Sequence, residues 1–393
     1  MRESEVETPA LILDLDAFEF NLDTMARMVA GVSARLRPHA KTHKSPVVAN
    51  LQMRRGAIGQ CVQKVAEAEV MAWGGVEDIL VTNQIVDPRK LARLAALSRI
   101  AQVALCVDSP EHVSLLEAAA RTAGVRMSVL VEIDVGSRRC GVPAGEEAVG
   151  LARLIAGSRH LAFAGLQAYH GAAQHLRSAV ERREAIGKAI AACERTVEGL
   201  SRARIPCGIV SGAGTGTFEL EAASGVYTEL QAGSYCFMDG DYAANLQEDG
   251  QPFRTFRHSL FVLASVMSTA RPGLAVLDAG HKAVAIPSAT TLHDAEVRLL
   301  LDLHDRLATP FHMYPDADVP GERLFLQLRD LLPIGLLTGI GFTVALLIAL
   351  FVAVTVPVTN IFLMRAALFR ARRMGEAVPA NLSRTATEDA REP

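Results

Sequence analysis

The chain has 393 residues, half of them apolar, which is enough to bury one large barrel with an appendage or two smaller domains. Its net charge of −3, with no basic stripe interleaved with aromatics, excludes a nucleic-acid surface. The six dispersed cysteines (Cys61, Cys106, Cys140, Cys193, Cys207 and Cys236) form no CxxC or zinc-ribbon spacing, and the acidic start MRESEVETPALILDLDAF has no signal-peptide core. These features together describe reduced, cytoplasmic thiols.

A first strand over 10–15 and a helix reaching about residue 32 come first. A βα period follows, with strand-like runs at 36–41, 57–63, 78–83, 103–108, 127–134, 163–169, 208–211 and 229–235. The segments between them read as helices. KVAEAEVMAWGG stops at a glycine pair, DSPEHVSLLEAAARTAG opens on Asp-Ser-Pro and ends at Gly124, and a long helix covers 176–204. Eight such strands predict an α/β fold, a (β/α)8 TIM-like barrel over 33–250, whose polar strand ends build the site.

From residue 253 the character becomes β-rich, and the first strand is expected to join that part, with 1–32 as strand and helix. The β-domain reads as incomplete (251–290), followed by a helix and linker (291–330) that contains the amphipathic AEVRLLLDLHDRL and the loop MYPDADVPGER. No charged residue occurs over 331–364, long and apolar enough for a membrane-spanning helix that would tether the chain. Arg365, Arg370, Arg372 and Arg373 follow, and the tail to 393 reads as disordered.

Two motifs carry chemistry. In RPHAKTHK, Lys41 stands among Arg37, His39, His43 and Lys44, and cationic neighbours are expected to lower its pKa so that the neutral amine can attack a carbonyl. SGAGTGTF, with Gly214, Thr215, Gly216 and Thr217, follows the seventh barrel strand and offers backbone N–H groups and hydroxyls to a phosphate. A reactive lysine and a phosphate nest at one barrel mouth suit pyridoxal 5′-phosphate.

The stretches TPALILDLDAFEFNL, RPHAKTHK, QKVAEAEVMAWGGVEDILVTNQIV, EIDVGSRRCGV, GLQAYHGAAQH, SGAGTGTF, YTELQAGSYCFMD and LDAGHKA occur in order over the first seven-tenths of the chain. Over them the chain resembles the pyridoxal-phosphate-dependent D-amino-acid lyases of the alanine racemase fold (fold type III): D-serine dehydratase, D-threonine aldolase and 3-hydroxy-D-aspartate aldolase. The resemblance implies a lyase for a D-configured β-hydroxy amino acid, working as a homodimer. Lys41 would form the Schiff base and act as base. Arg139 would approach the cofactor's phenolic oxygen and Tyr169 its ring, with Gln63 nearby. Gly214, Thr215, Gly216 and Thr217 would hold the phosphate with help from Tyr235.

The resemblance also implies a divalent metal, zinc or manganese, held by a His and a Cys in a Gly-His-Cys-Asp stretch. That stretch is missing here, so no metal ligand is named. Its loss makes the C-terminus read as a fusion or a frameshifted end. Two other functions stand beside the lyase: an amino-acid racemase, for which no second base can be named, and a pyridoxal-phosphate-binding protein impaired in turnover.

Overall fold

The computed structural model describes residues 6–271 and 274–279, and the backbone of 323–327. The chain divides into two compact units. It begins with β1 (Ala10–Leu13) and α1 (Leu15–Ala30). Eight parallel strands follow: β2 (Arg35–Leu36), β3 (Gln60–Val62), β4 (Asp78–Val81), β5 (Gln102–Val107), β6 (Met127–Glu132), β7 (Leu161–Ala168), β8 (Ile209–Gly212) and β9 (Glu229–Leu230). All eight lie within or beside the runs expected from the sequence. They form one curled sheet in the order β2-β9-β8-β7-β6-β5-β4-β3. His39, just past β2, makes a parallel bridge to Cys61 of β3, and the Cys61 N–H donates to the Pro38 carbonyl at 2.8 Å.

Between the strands run α2 (Pro46–Met53), α3 (Val65–Trp73), α4 (Pro88–Leu97), α5 (Pro110–Ala123), α6 (Glu146–Ala156), α7 (Ala179–Arg202) and α8 (Phe218–Ala223). Three of these helices start in the same way. Ser45, Asp87 and Ser109 accept a backbone N–H of the first turn, and a proline follows each at a position that has no N–H to lose.

The strands are covered on both faces, which is why they read as apolar runs rather than as alternating ones. Outward residues such as Ile79, Val81, Leu105, Val107, Val129 and Val131 share one core with Met71, Leu91, Leu94 and Leu116 of the helices. Inward, Cys61, Leu80, Cys106 and Leu130 form a small apolar cluster of their own. The rest of the interior is polar. Gln231 Nε2 donates to Gln167 Oε1 (2.7 Å) and Ser211 Oγ (2.9 Å), and Ser211 donates to Glu229 (3.1 Å). Arg37 closes this chain of contacts on Glu229 and Asp78.

Gly165 shows how tightly β7 and β8 approach. It follows a register shift opposite Val129 and Leu130, its φ is +156°, and a Cβ there would overlap the Ile209 carbonyl. Gly165→Ala is therefore expected to cost more than about 1 kcal/mol, read as a lower urea midpoint at an unchanged slope.

The second unit holds an antiparallel sheet. After the short α9 (Gly240–Ala243), β10 (Leu260–Arg271) pairs with β1, with β11 (Leu274–Leu277) and with β12 (Arg323–Gln327). β12 lies inside the stretch expected to be helix and linker. Five residues are too few for periodicity to separate a strand from a helix, and the free edge of β10 decides the matter. Asn21 is bonded to both the N–H and the carbonyl of Arg257, each at 2.7 Å, and Phe18 lies 5.9 Å from Phe237.

Among the described residues no helix is long and apolar enough to cross a membrane. The hydrophobic run 331–364, the amphipathic helix at 295–307 and the tail from 365 lie outside them.

Candidate active site

Lys41 sits in a single helical turn (Ala40–Thr42) directly after β2. His39 starts this turn. Its Nδ1 accepts the Lys41 N–H (3.2 Å), and its Nε2 lies 3.0 Å from the Thr82 hydroxyl, which in turn donates to the Val62 carbonyl (3.3 Å). Thr82 can only accept from His39, so Nε2 carries the proton and the ring is neutral. Burial pushes the His39 pKa well below the usual range, in agreement with this tautomer.

The Lys41 side chain opens into a cavity of about 170 Å³ with its Nζ 5.5 Å from the centre of the Tyr169 ring. Its pKa is lowered, first by burial and then by the charge of Arg139. Much of its surface is accessible because it lines an open cavity, although protein atoms crowd the amine itself. The lowered pKa agrees with the sequence expectation, but the cause differs. Arg37 is committed to Glu229 and Asp78, Lys44 pairs with Glu67 at 3.4 Å, and burial holds His43 at about 4. The effective cation comes from a loop 98 positions later in the chain.

That loop, between β6 and α6, is tied at its base by a bridge between Ile133 and Val142. Asp134 accepts the N–H groups of Gly136 (2.9 Å) and Arg138 (3.1 Å), and Asp108 accepts that of Gly141 (2.9 Å). The strand-end carboxylates Asp108 and Asp134 thus brace the loop instead of lining the cavity. Ser137 links it to the next loop, donating to the Tyr169 carbonyl (2.9 Å) and accepting the Gly171 N–H (2.8 Å). Burial pushes Tyr169 up to about 12, while Arg139 and a hydrogen bond to Tyr242 pull the other way.

On another wall of the cavity, β8 runs into Ala213, Gly214, Thr215, Gly216 and Thr217 before α8 begins. Ala213 adopts a positive φ of 70° to make the turn. Gly214 and Thr215 face the cavity, together with Gly233 and Ser234 that follow β9. Thr215 Oγ1 is held by the Tyr235 N–H at 3.1 Å. A neutral amine facing a carbonyl carbon, across from a wall of glycine and hydroxyl groups, can capture an aldehyde that carries an anionic group.

Residues 13–241 match the model of the alanine racemase N-terminal domain. The chain belongs to that family. It is 46% identical to a D-threonine aldolase of Arthrobacter sp, over 71% of this chain and 73% of the relative. It is 44% identical to a 3-hydroxy-D-aspartate aldolase of Paracoccus denitrificans (strain Pd 1222), over 73% and 76%. The crystal structure of D-threonine aldolase from Filomicrobium marinum superimposes with a TM-score of 0.70 at 47% identity, covering 73% of this chain and 76% of that one.

Of the residues expected in an alanine-racemase-type site, Lys41, Gln63, Arg139, Tyr169, Gly214 and Thr215 line one cavity. Gly216 and Thr217 face a second cavity behind the loop, beside Phe218 and Glu219. The Tyr235 side chain is buried and lines neither; only its backbone N–H reaches the site. Thr42, Thr82, Gln167, Gln231 and Tyr242 line the cavity without having been named from the sequence, and His39 was named only as a charged neighbour of Lys41. For His39, Thr42, Thr82, Gln167 and Gln231 a signal was available, because all five stand inside the quoted motifs. Tyr242 carries no local signal. Among the described residues, no three or more His, Cys, Asp or Glu side chains are grouped to hold a metal ion. No step is assigned to a metal.

Proposed function

We propose that the protein is a pyridoxal-phosphate-dependent lyase for D-configured β-hydroxy amino acids. The observation that carries this reading is the pairing of Lys41, an amine of lowered pKa facing Tyr169, with the Gly214–Thr215 and Gly233–Ser234 walls of the same cavity. Membership of a family that includes the two aldolases supports it. The residues present fit the cofactor, since an aldehyde needs the neutral amine and a phosphate needs backbone and hydroxyl donors such as Gly214, Thr215, Gly233 and Ser234 bring to the cavity. When bound, the cofactor supplies an electron sink for bonds at the substrate's Cα.

Lys41 would join the cofactor and act on the Cα proton, and Arg139 would hold negative charge at the ring's edge. Tyr169 would cover the ring, Gln63 would stand near it, and Gly214 and Thr215 would take the phosphate. Gly216, Thr217 and Tyr235 would support that loop from behind. In the same reading the curled sheet is a closed barrel over 33–250, supported by the His39–Cys61 bridge, and the working form is a homodimer. With Lys41 taking the Cα proton, the β-hydroxyl would leave as water, and hydrolysis of the resulting imine would release a keto acid and ammonia. With the β-hydroxyl proton removed instead, Cα–Cβ breaks to glycine and an aldehyde.

The test begins by titrating the purified protein with pyridoxal phosphate, which is expected to develop the visible absorbance band of a lysine-bound cofactor. D-threonine, D-serine and D-3-hydroxyaspartate are then supplied in turn, with and without zinc or manganese, and keto acid is measured against glycine and aldehyde. Product from at least one D-isomer, and none from its L-isomer, is the expected result. Absence of the visible band would remove the basis for the proposal.

A further inference from the structure

Gln174 lies outside the cavity, fully buried, in the short helical turn Gly171–His175 that follows Tyr169. Its side-chain amide lies directly behind the phosphate loop. Oε1 accepts the Gly216 N–H at 2.9 Å, and Nε2 donates to the Thr217 hydroxyl at 2.8 Å. The reversed amide would set an NH2 group against the Gly216 N–H, so the orientation is fixed. The amide also packs so close to Gly214 that a Cβ there would collide with it. Three positions of one short loop are therefore set by a single side chain.

Both ends of this strut are anchored. The Gln174 main-chain carbonyl accepts from Asn245 Nδ2 at 2.9 Å, and Asn245 Oδ1 accepts from Arg177 at 2.7 Å. On the far side Thr217 donates to Glu221 Oε1 at 2.9 Å. Glu221 is buried, and its other oxygen has no hydrogen-bond partner among the described residues. Burial pushes its pKa up to about 7, and Oε1 accepts from Thr217 in either protonation state. Because the Gly216 N–H is already bonded to Gln174, the loop N–H groups left for an anion are those nearer the cavity, at Gly214 and Thr215.

We propose that Gln174 is a positioning residue for the cofactor's phosphate. It touches neither cofactor nor substrate, but holds Gly214, Gly216 and Thr217 from behind so that the cavity face of the loop is preformed. A preformed nest binds its anion without first ordering the loop, and that saving appears as affinity.

The inference rests on the proposed pyridoxal-phosphate function and is tested by comparing two cofactors that differ only in the phosphate. Binding of pyridoxal phosphate and of pyridoxal is titrated by absorbance for wild type, Gln174→Leu and Thr217→Val. Both variants are expected to lose about tenfold or more in affinity for pyridoxal phosphate while binding pyridoxal as wild type does. Equal losses for both cofactors, or no loss for either, would overturn the proposal. Thr217→Val is nearly isosteric and removes the hydroxyl that joins Gln174 to Glu221 while Gln174 keeps its bond to the Gly216 N–H, so it decides the matter even if Gln174→Leu does not fold. If wild type binds neither cofactor, the proposed function fails instead, and the two failures are distinguishable.

Discussion

Arg37→Met is expected to destabilise the protein by about 3–5 kcal/mol, the usual cost of removing one partner from a buried ion pair. Arg37 bonds to Glu229 through Nε and Nη2, both at 2.9 Å, and to Asp78 through Nη1 at 2.7 Å and Nη2 at 3.2 Å. Burial alone would disfavour the charged guanidinium, yet the bonds to Glu229 and Asp78 raise its pKa above the ordinary value. The two carboxylates are not equivalent. Asp78 has a side chain 35% exposed and can turn to water, whereas Glu229 is 6% exposed and would keep only the Ser211 hydroxyl.

The cost should therefore sit in Glu229, which can be checked by urea unfolding. Arg37→Met is expected to lower the midpoint strongly, Asp78→Asn to do so far less, and Arg37→Met combined with Glu229→Met to recover most of the loss, because the double variant leaves no charge buried alone. A double variant less stable than Arg37→Met would show that the interior needs the charges themselves.

The same residue shows what could be read from the chain and what could not. Strand positions were legible because eight apolar runs alternate with capped, amphipathic helices, a pattern that local sequence expresses directly. The place of Lys41 at the cavity was legible because it ends the first of those runs. The reason for its lowered pKa was not, since proximity in sequence suggested Arg37, His39, His43 and Lys44. Arg37 stands four residues earlier, about 13 Å along an extended chain, and turns to carboxylates on β4 and β9.

His39 and His43 are neutralised by burial, and Lys44 is paired. Arg139 acts from a loop whose position only the tertiary fold determines. Gln174 stood in a quoted motif, GLQAYHGAAQH, with no role attached, because an amide that braces a loop from behind looks like any other polar residue in a turn. Phosphate contacts were assigned evenly over Gly214 to Thr217, whereas hydrogen bonding divides that loop into a front and a back.

Lys41→Ala is expected to reduce turnover by at least about 10²–10⁴-fold, the range lost with a general base alone, and to remove the visible band of the lysine-bound cofactor. It should leave stability nearly unchanged, since among the described residues the Lys41 amine makes no ion pair and lies over the face of Tyr169. Arg139→Gln separates the two causes of the lowered pKa. Burial remains in that variant while the neighbouring positive charge is gone, so the Lys41 pKa must rise toward its ordinary value.

An amine captures an aldehyde only in its neutral form, so a higher pKa leaves less of it reactive at neutral pH. The rate at which the protein captures pyridoxal phosphate, followed across pH, should then show its midpoint displaced to higher pH in Arg139→Gln. Direct loss of a cofactor contact would instead slow capture equally at every pH. An unmoved midpoint would mean that burial alone sets the reactivity of Lys41, and the role of Arg139 would narrow to holding the cofactor.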